Sequence, residues 1–281
     1  MATLKDARKQ RLEELLEEFD RRLTMLMTHF GKYNKLDENV IERVLTSQSS
    51  DDYQTSKASG EVLVHGVGGK LIKAQTANQR KLVESMRKSD MVFAIGPAGT
   101  GKTYTGVALA VKALKNKEVK RIILTRPAVE AGENLGFLPG DLKEKLDPYM
   151  QPLYDALRDM IAPEKLAHYI ENGTIQIAPL AFMRGRTLDN AFVILDEGQN
   201  TTHAQMKMFL TRMGKHAKFL LTGDPGQIDL PRRTISGLKE ALLILKNVEG
   251  VGMIFLDDKD VIRHKLVKSV IEAYKSIENR E

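Results

Sequence analysis

Residues 91–103 read Met91-Val92-Phe93-Ala94-Ile95-Gly96-Pro97-Ala98-Gly99-Thr100-Gly101-Lys102-Thr103. The last eight follow the G-x-x-x-x-G-K-[ST] pattern of a triphosphate cradle. Gly96, Gly99 and Gly101 admit backbone conformations closed to residues with a Cβ, so in the loop that Gly96 and Pro97 open the successive N–H groups of Ala98, Gly99, Thr100 and Gly101 can turn toward phosphate oxygens. In this pattern Lys102 neutralises the β- and γ-phosphates and the Thr103 hydroxyl holds Mg²⁺. Tyr104 follows directly and borders the same cradle. The apolar run 91–95 stops at the first glycine, as a buried strand does. A stretch rich in Ala, Val, Leu and Lys follows from Tyr104 to Lys117 and reads as a helix.

Working outward, strand-like runs fall at 91–95, 121–125, 175–178, 191–195, 217–222 and 251–256. Helices are expected over 78–88, 102–116, 142–160, 202–213, 235–247 and 261–278. This alternation predicts an α/β fold, a mostly parallel sheet with helices on both faces. In such sheets ligands sit at the carboxyl ends of the strands. Upstream, Leu12, Leu15, Leu16, Phe19, Leu23, Leu26 and Phe30 recur at steps of three and four, which predicts a helix over 4–30 stopped at Gly31. That stripe would dock on the chain's own core or meet a helix of another subunit. Residues 46–60 are polar and of low complexity. The expected organisation is an N-terminal helical segment at 1–45, a linker at 46–60 and a catalytic domain at 61–281.

A second acidic element follows the run Ala191-Phe192-Val193-Ile194-Leu195, which ends in Asp196-Glu197-Gly198-Gln199-Asn200. An apolar strand ending in Asp is the Walker B arrangement, and Asp196 would hold Mg²⁺. Glu197 stands where a base can orient and deprotonate the water that attacks a γ-phosphate. A third strand ends in Thr222-Gly223-Asp224-Pro225-Gly226-Gln227. There Gln227 could contact the γ-phosphate or the attacking water, although Gly, Asp and Pro also simply favour a turn. The guanine clamp Asn-Lys-x-Asp is absent; the nearest string, Asn116-Lys117-Glu118-Val119, lacks the Asp. Gln79, one helix before the cradle, has an amide able to pair with adenine N6 and N7. These points favour ATP.

With 281 residues and 42% hydrophobic content, the chain can build one sizeable core with an appendage. Its net charge of +6 and absence of cysteine are compatible with a polyanionic partner and a reducing compartment. No apolar run reaches the roughly 20 residues of a membrane span.

At this point the chain resembles the PhoH-like ATPases, P-loop proteins related to superfamily 1 helicases with a RecA-like fold. The resemblance covers about residues 60–278. It rests on the cradle and on the strings 125–140 (from Thr125-Arg126-Pro127), 147–150, 179–188, 195–202, 205–212 and 261–267. Gly198 stands where the family usually has Ala, and Gly226 where Thr is common. The resemblance implies ATP hydrolysis with Mg²⁺ coupled to single-stranded RNA, DNA remaining open, in the cytoplasm of a bacterium. It implies self-assembly into a ring such as a hexamer, and links to phosphate starvation and RNA metabolism. A different reading is an ATP-gated adaptor for an RNA-processing or ribosome-associated protein, without unwinding.

The chain has room for one such sheet, so an arginine finger would come from this sheet or from a neighbouring subunit. Arg263 and Arg186 are the candidates for the neighbour's finger, and Arg126 is placed near the nucleotide edge. For a nucleic acid, Phe137, Tyr149 and Tyr154 could stack on bases, and Lys143, Lys145, Arg158, Arg212, Lys215 and Lys218 could meet phosphates. Self-packing of that loop is the competing expectation.

Overall fold

A computed structural model describes residues 4–33, 62–127, 142–231 and 233–262, together with residues 41 and 270. The chain divides into two units, Met1–Glu61 and Val62–Glu281. In the first, helix α1 (Leu4–Tyr33) runs through Gly31, where a stop was expected. A lone glycine costs a helix only about 1 kcal/mol and does not end it unless the chain turns left-handed. Leu12, Leu16, Phe19, Leu23 and Phe30 of its apolar stripe are exposed. The linker 46–60 lies outside the described residues.

In the second unit the elements run in chain order. First come strand β1 (Val62–His65), strand β2 (Leu71–Lys73), helix α2 (Ala77–Lys88), β3 (Met91–Ile95), α3 (Lys102–Lys115) and β4 (Arg121–Arg126). Then follow α4 (Leu142–Met160), α5 (Pro163–Glu171), β5 (Ile175–Pro179), β6 (Ala191–Leu195), α6 (His203–Leu210), β7 (Lys218–Gly223), α7 (Gly237–Ile244) and β8 (Val251–Phe255). The sheet order is β5-β4-β6-β7-β3-β8, and every neighbouring pair is parallel. All six expected strands are present, and the P-loop α/β class is that read from the sequence.

The strands are continuous apolar runs because both faces of the sheet are covered. Side chains alternate between two cores. Val92, Ala94, Ile122, Leu124, Ile194 and Leu220 join the core shared with α2, α3, α4 and α5. Phe93, Ile95, Ile123, Val193, Phe219 and Leu221 join the core shared with α6 and α7. Phe209 of α6 meets Phe219 with ring centroids 5.0 Å apart. Each fully buried side chain of this size contributes about 1.5–3 kcal/mol.

Local chemistry sets the helix starts. Thr76 caps α2 by accepting from the Gln79 N–H at 3.2 Å. Thr202 and Gln205 close a capping box on α6. The β1–β2 hairpin and α5 were not expected. The hairpin strands are too short to show a period, and their only signal was the glycine-rich turn between them. For α5 the signal was Pro163 at its first turn.

Helix α4 is tied across to α3 and the hairpin by one cluster. Lys70 Nζ lies 2.5 Å from Asp159 Oδ2, and the Tyr104 hydroxyl donates to the same oxygen at 2.9 Å. The hydrogen bond from Lys70, with that from Tyr104, holds the Asp159 carboxyl below its ordinary range. A depressed carboxyl stabilises the fold above its unfolded pKa of about 3.8 and loses that contribution as pH falls through its folded value. Lys70 and Asp159 are partly exposed, so the contribution is small. D159N should lower stability by less than about 1 kcal/mol at pH 7. The gap between the urea midpoints of variant and wild type should narrow as pH falls below 3.8, and a gap that stays constant there would point to packing instead.

Candidate active site

Because the sheet is parallel, the carboxyl ends of β3, β4, β6 and β7 share one edge, and the cradle and the acidic residues meet there. A cleft of about 570 Å³ is lined by Gly99, Gly101, Lys102, Thr103, Tyr104, Arg126, Asp196, Glu197, Asp224 and Gln227. Residues of α4, Pro152, Asp155, Ala156 and Asp159, form its far wall.

The cradle is braced from four sides. Gly96 N–H donates to Gly223 carbonyl at 3.1 Å, and Ile262 N–H to Gly99 carbonyl at 3.0 Å. Thr100 Oγ1 donates to Pro97 carbonyl at 2.9 Å, and Gln79 Nε2 to Thr100 carbonyl at 2.9 Å. Gly101 has φ +75°, a backbone conformation that favours glycine, and a Cβ there would come 2.8 Å from Gln79 Nε2 and push that amide aside. Lys102 is buried and donates to the carbonyls of Gly96 at 2.7 Å and Pro97 at 2.8 Å. Burial pulls its ammonium below the ordinary lysine range, while the charges of Asp224, Glu197 and Asp196 work the other way. A buried cation above a glycine loop is what a polyphosphate neutralises.

Asp196 is the centre of the acidic half. Its Oδ1 accepts from the Thr103 hydroxyl at 2.6 Å and from the Thr222 hydroxyl at 2.6 Å. Its Oδ2 lies 3.0 Å from Arg126 Nε. Among the described residues no group of three or more His, Cys, Asp or Glu could hold a metal by itself. One carboxylate and one hydroxyl at the mouth of a phosphate cradle instead match Mg²⁺, which takes few protein ligands and completes its shell with water and phosphate oxygens. Thr103 and Asp196 fit that requirement.

Glu197 sits at φ 54°, ψ 39°, a left-handed conformation for a residue with a Cβ. Such strain persists where the surroundings hold it. Here Arg126 Nη2 grips Oε1 at 3.0 Å, and Gln199 Nε2 donates to Oε2 at 2.5 Å. At Gly198 an added Cβ would meet Thr222 carbonyl at 3.1 Å, so an Ala there needs only a few tenths of an ångström of adjustment.

The structure therefore brings together residues 96–104, Asp196, Glu197 and the exposed Gln227. It treats other candidates differently. Gln79 is 2% exposed. Its Oε1 accepts from Gln75 N–H at 2.8 Å and its Nε2 is bound to the cradle, so it braces the loop instead of lining the cleft for a base. The side of α2 beyond it is closed by buried Asp260, which accepts from Asn78 Nδ2 at 2.8 Å. Q79A should lower the melting temperature and weaken ATP and GTP together by about tenfold, as the loss of two buried hydrogen bonds would. Nucleotide titrations read this, and a selective loss of ATP would restore the base-contact role.

Arg186 donates to Gln176 Oε1 at 2.7 Å, near the amino ends of β5 and β6, the opposite edge from the acids. Within its own chain it does not reach the cleft. Arg263 lies outside the described residues, as does Phe137. Lys143 and Lys145 lie on α4, in the stretch whose side chains are not described. Arg212, Lys215 and Lys218 also fall at the amino end of the sheet. There Lys218 pairs with Asp90 at 3.0 Å and Arg212 Nε donates to Met208 carbonyl at 3.1 Å, at the opposite end of the sheet from the cleft. Tyr154 packs against the core, with Arg158 5.9 Å from its ring, as self-packing predicts, whereas Tyr149 is exposed. Asn116 caps the far end of α3 and bonds Glu118 at 2.9 Å, about 20 Å of helix away from the cradle.

Sequence reasoning missed Gln199. It is 1% exposed. Its amide joins Glu197 to Gln227 carbonyl at 3.1 Å, and its Oε1 accepts from Asp224 N–H at 3.0 Å. Its position two residues after Glu197 reads as an ordinary turn, and its burial is set only by the fold.

Residues 71–275 match the family described as PhoH-like protein. A PhoH-like protein of Bacillus subtilis (strain 168) is 52% identical over 263 residues, which is 93% of this chain and 82% of that protein. One of Synechocystis sp. is 57% identical over 211 residues, 75% of this chain. This chain spans 64% of that relative's length, less than two thirds. Among solved structures, the Hef helicase domain of Pyrococcus furiosus aligns with 65% of this chain and 38% of its own, at 13% identity and a TM-score of 0.39. Among the described residues no helix is long and apolar enough to cross a membrane.

Proposed function

The chain belongs to the PhoH-like protein family of P-loop NTPases, and from its site we propose that it hydrolyses ATP with Mg²⁺, coupled to single-stranded RNA. The observation that carries the reading is the convergence of Lys102, Thr103, Asp196 and Glu197 at one cleft, 2.6 Å separating the Thr103 hydroxyl from the Asp196 carboxylate.

Residues 96–103 would hold the β- and γ-phosphates, Lys102 contributing charge and the loop N–H groups orientation. Thr103 and Asp196 would hold Mg²⁺, which supplies charge neutralisation across the phosphate oxygens when bound. Glu197 takes a proton from water. The water oxygen bonds to the γ-phosphorus, and the bond to the β–γ bridging oxygen breaks with its electron pair leaving on ADP. Gln227, exposed on the same wall, orients that water or senses the departing phosphate. An acid placed to activate water favours hydrolysis over phosphate transfer to a metabolite.

Coupling to RNA is supported by the net charge of +6 and by the exposed Tyr149 beside Arg126. We extend the reading to an active form that is a homo-oligomer in the cytoplasm. Phosphate release should require Mg²⁺ and rise with single-stranded RNA, and its specific rate should fall on dilution as the oligomer dissociates. Failure of the protein to release phosphate from any nucleoside triphosphate would sink the reading. RNA-stimulated hydrolysis without strand displacement would favour the ATP-gated adaptor.

A further inference from the structure

We propose that Arg126 is the site's own exchangeable counter-cation: it holds Asp196 and Glu197, yields Asp196 to Mg²⁺, and then turns its charge to the terminal phosphate. The inference rests on the ATPase reading above and names a residue that acts on its phosphates.

Arg126 reaches the acids through the backbone. Strands β4 and β6 pair in parallel with Thr125 opposite Leu195. Asp196 N–H donates to Thr125 carbonyl at 2.9 Å. The next residue of each strand is therefore Arg126 on one side and Asp196 on the other. This register puts a guanidinium beside the acids without any long-range accident of side-chain packing.

The fork then spans three groups. Nε is 3.0 Å from Asp196 Oδ2 and Nη2 is 3.0 Å from Glu197 Oε1. Nη1 donates to the carbonyl of Tyr149 on α4. The Arg126 side chain is 16% exposed. With the Thr103 and Thr222 hydroxyls on Oδ1, both oxygens of Asp196 are engaged by protein donors. Thr103 meets Oδ1, so Mg²⁺ held by this pair arrives on the side of the carboxylate away from Nε. A dication and a guanidinium on one carboxylate still repel in a part-buried cleft, and the metal's charge loosens the hold of Nε on Oδ2. Arginine cannot lose its proton to relieve the repulsion. Its fork must move, and it already lines the same cleft as Lys102 and Gln227. A triphosphate brings the compensating negative charge there. A cationic fork at the transferring phosphoryl group, supplied in cis, needs no partner subunit. Release of Tyr149 carbonyl would pass the same movement to α4.

The test uses Mn²⁺ as the probe, without nucleotide. R126Q and R126M should bind Mn²⁺ about tenfold more tightly than wild type, read by the free-ion paramagnetic signal, and R126K should stay near wild type. In turnover, R126Q should lose about 10²–10³-fold in kcat with KM for ATP little changed, and R126K, lacking the two-pronged fork, should recover part of it. In the wild-type chain the Arg126 Nε–H resonance should shift on Mg²⁺ titration with the midpoint of metal binding, a readout independent of whether any variant folds. Unchanged or weaker Mn²⁺ binding in folded R126Q, an Nε–H resonance that ignores Mg²⁺, or wild-type turnover in R126Q overturns the proposal. A wild-type protein that shows the Mg²⁺ shift yet releases no phosphate overturns the ATPase reading and leaves the metal exchange standing.

Discussion

Replacing Glu197 by glutamine is expected to cut ATP turnover by about 10³-fold while ATP binding survives, the range a lost general base produces. The substitution keeps the shape of the side chain and the acceptor that meets Arg126 Nη2 at 3.0 Å. It removes the capacity to take a proton from water. Nothing it touches belongs to the cradle, so the affinity of residues 96–103 for a triphosphate should persist. Single-turnover phosphate release beside an equilibrium nucleotide titration separates the two quantities. Wild-type release in E197Q would remove Glu197 from the chemistry and leave its left-handed backbone, φ 54°, without a functional account.

The second large effect is expected at Gln199. Q199L should cost about 1–3 kcal/mol of stability, because Asp224 N–H and Gln227 carbonyl would lose part-buried hydrogen bonds of about 0.5–1.5 kcal/mol each. Leucine is close in volume, so the loss reports on hydrogen bonds more than on a cavity. Turnover should fall in addition by about 10–100-fold, since a base displaced by a fraction of an ångström transfers its proton poorly. Gln199 Nε2 holds Glu197 Oε2 at 2.5 Å and Gln227 carbonyl at 3.1 Å, so one amide couples Glu197 to the cleft wall that carries Gln227. Urea unfolding and steady-state kinetics on the same preparation check both. Full stability with lost turnover would make Gln199 a purely positioning residue. Full turnover with lost stability would confine it to the scaffold.

The two predictions differ in legibility. Glu197 was readable because its meaning is local: a strand of five apolar residues, then Asp, then Glu. The same holds for residues 96–103 and Thr103. Gln199 carried no local signal, since an amide after an acidic pair reads as an ordinary turn. Its role depends on strand β7 arriving beside β6 and presenting Asp224 and Gln227, 25 and 28 positions later. Gln79 shows the converse. The sequence placed a hydrogen-bonding amide one helix before the cradle, which is correct, but the direction of that amide depends on how α2 packs. The Thr76 cap and the Thr100 carbonyl turn it toward the loop. Arg212, Lys215 and Lys218 were offered as nucleic-acid phosphate contacts by charge alone, and strand direction places them at the sheet edge opposite the cleft.

The amino-acid sequence by itself determined the glycine-rich loop, the strand that ends in Asp196 and Glu197, and the parallel sheet that brings them to one edge. These follow from spacing within a few residues and from apolar runs long enough to be buried on both faces. The tertiary structure alone decided that Arg126 grips both acids, Glu197 lying 71 positions later, that Gln199 ties Glu197 to the Gln227 carbonyl, and that the Gln79 amide is bonded to the Thr100 carbonyl of the loop. Those contacts depend on register between strands and on helix packing, where a shift of one residue reverses the face on which a side chain falls.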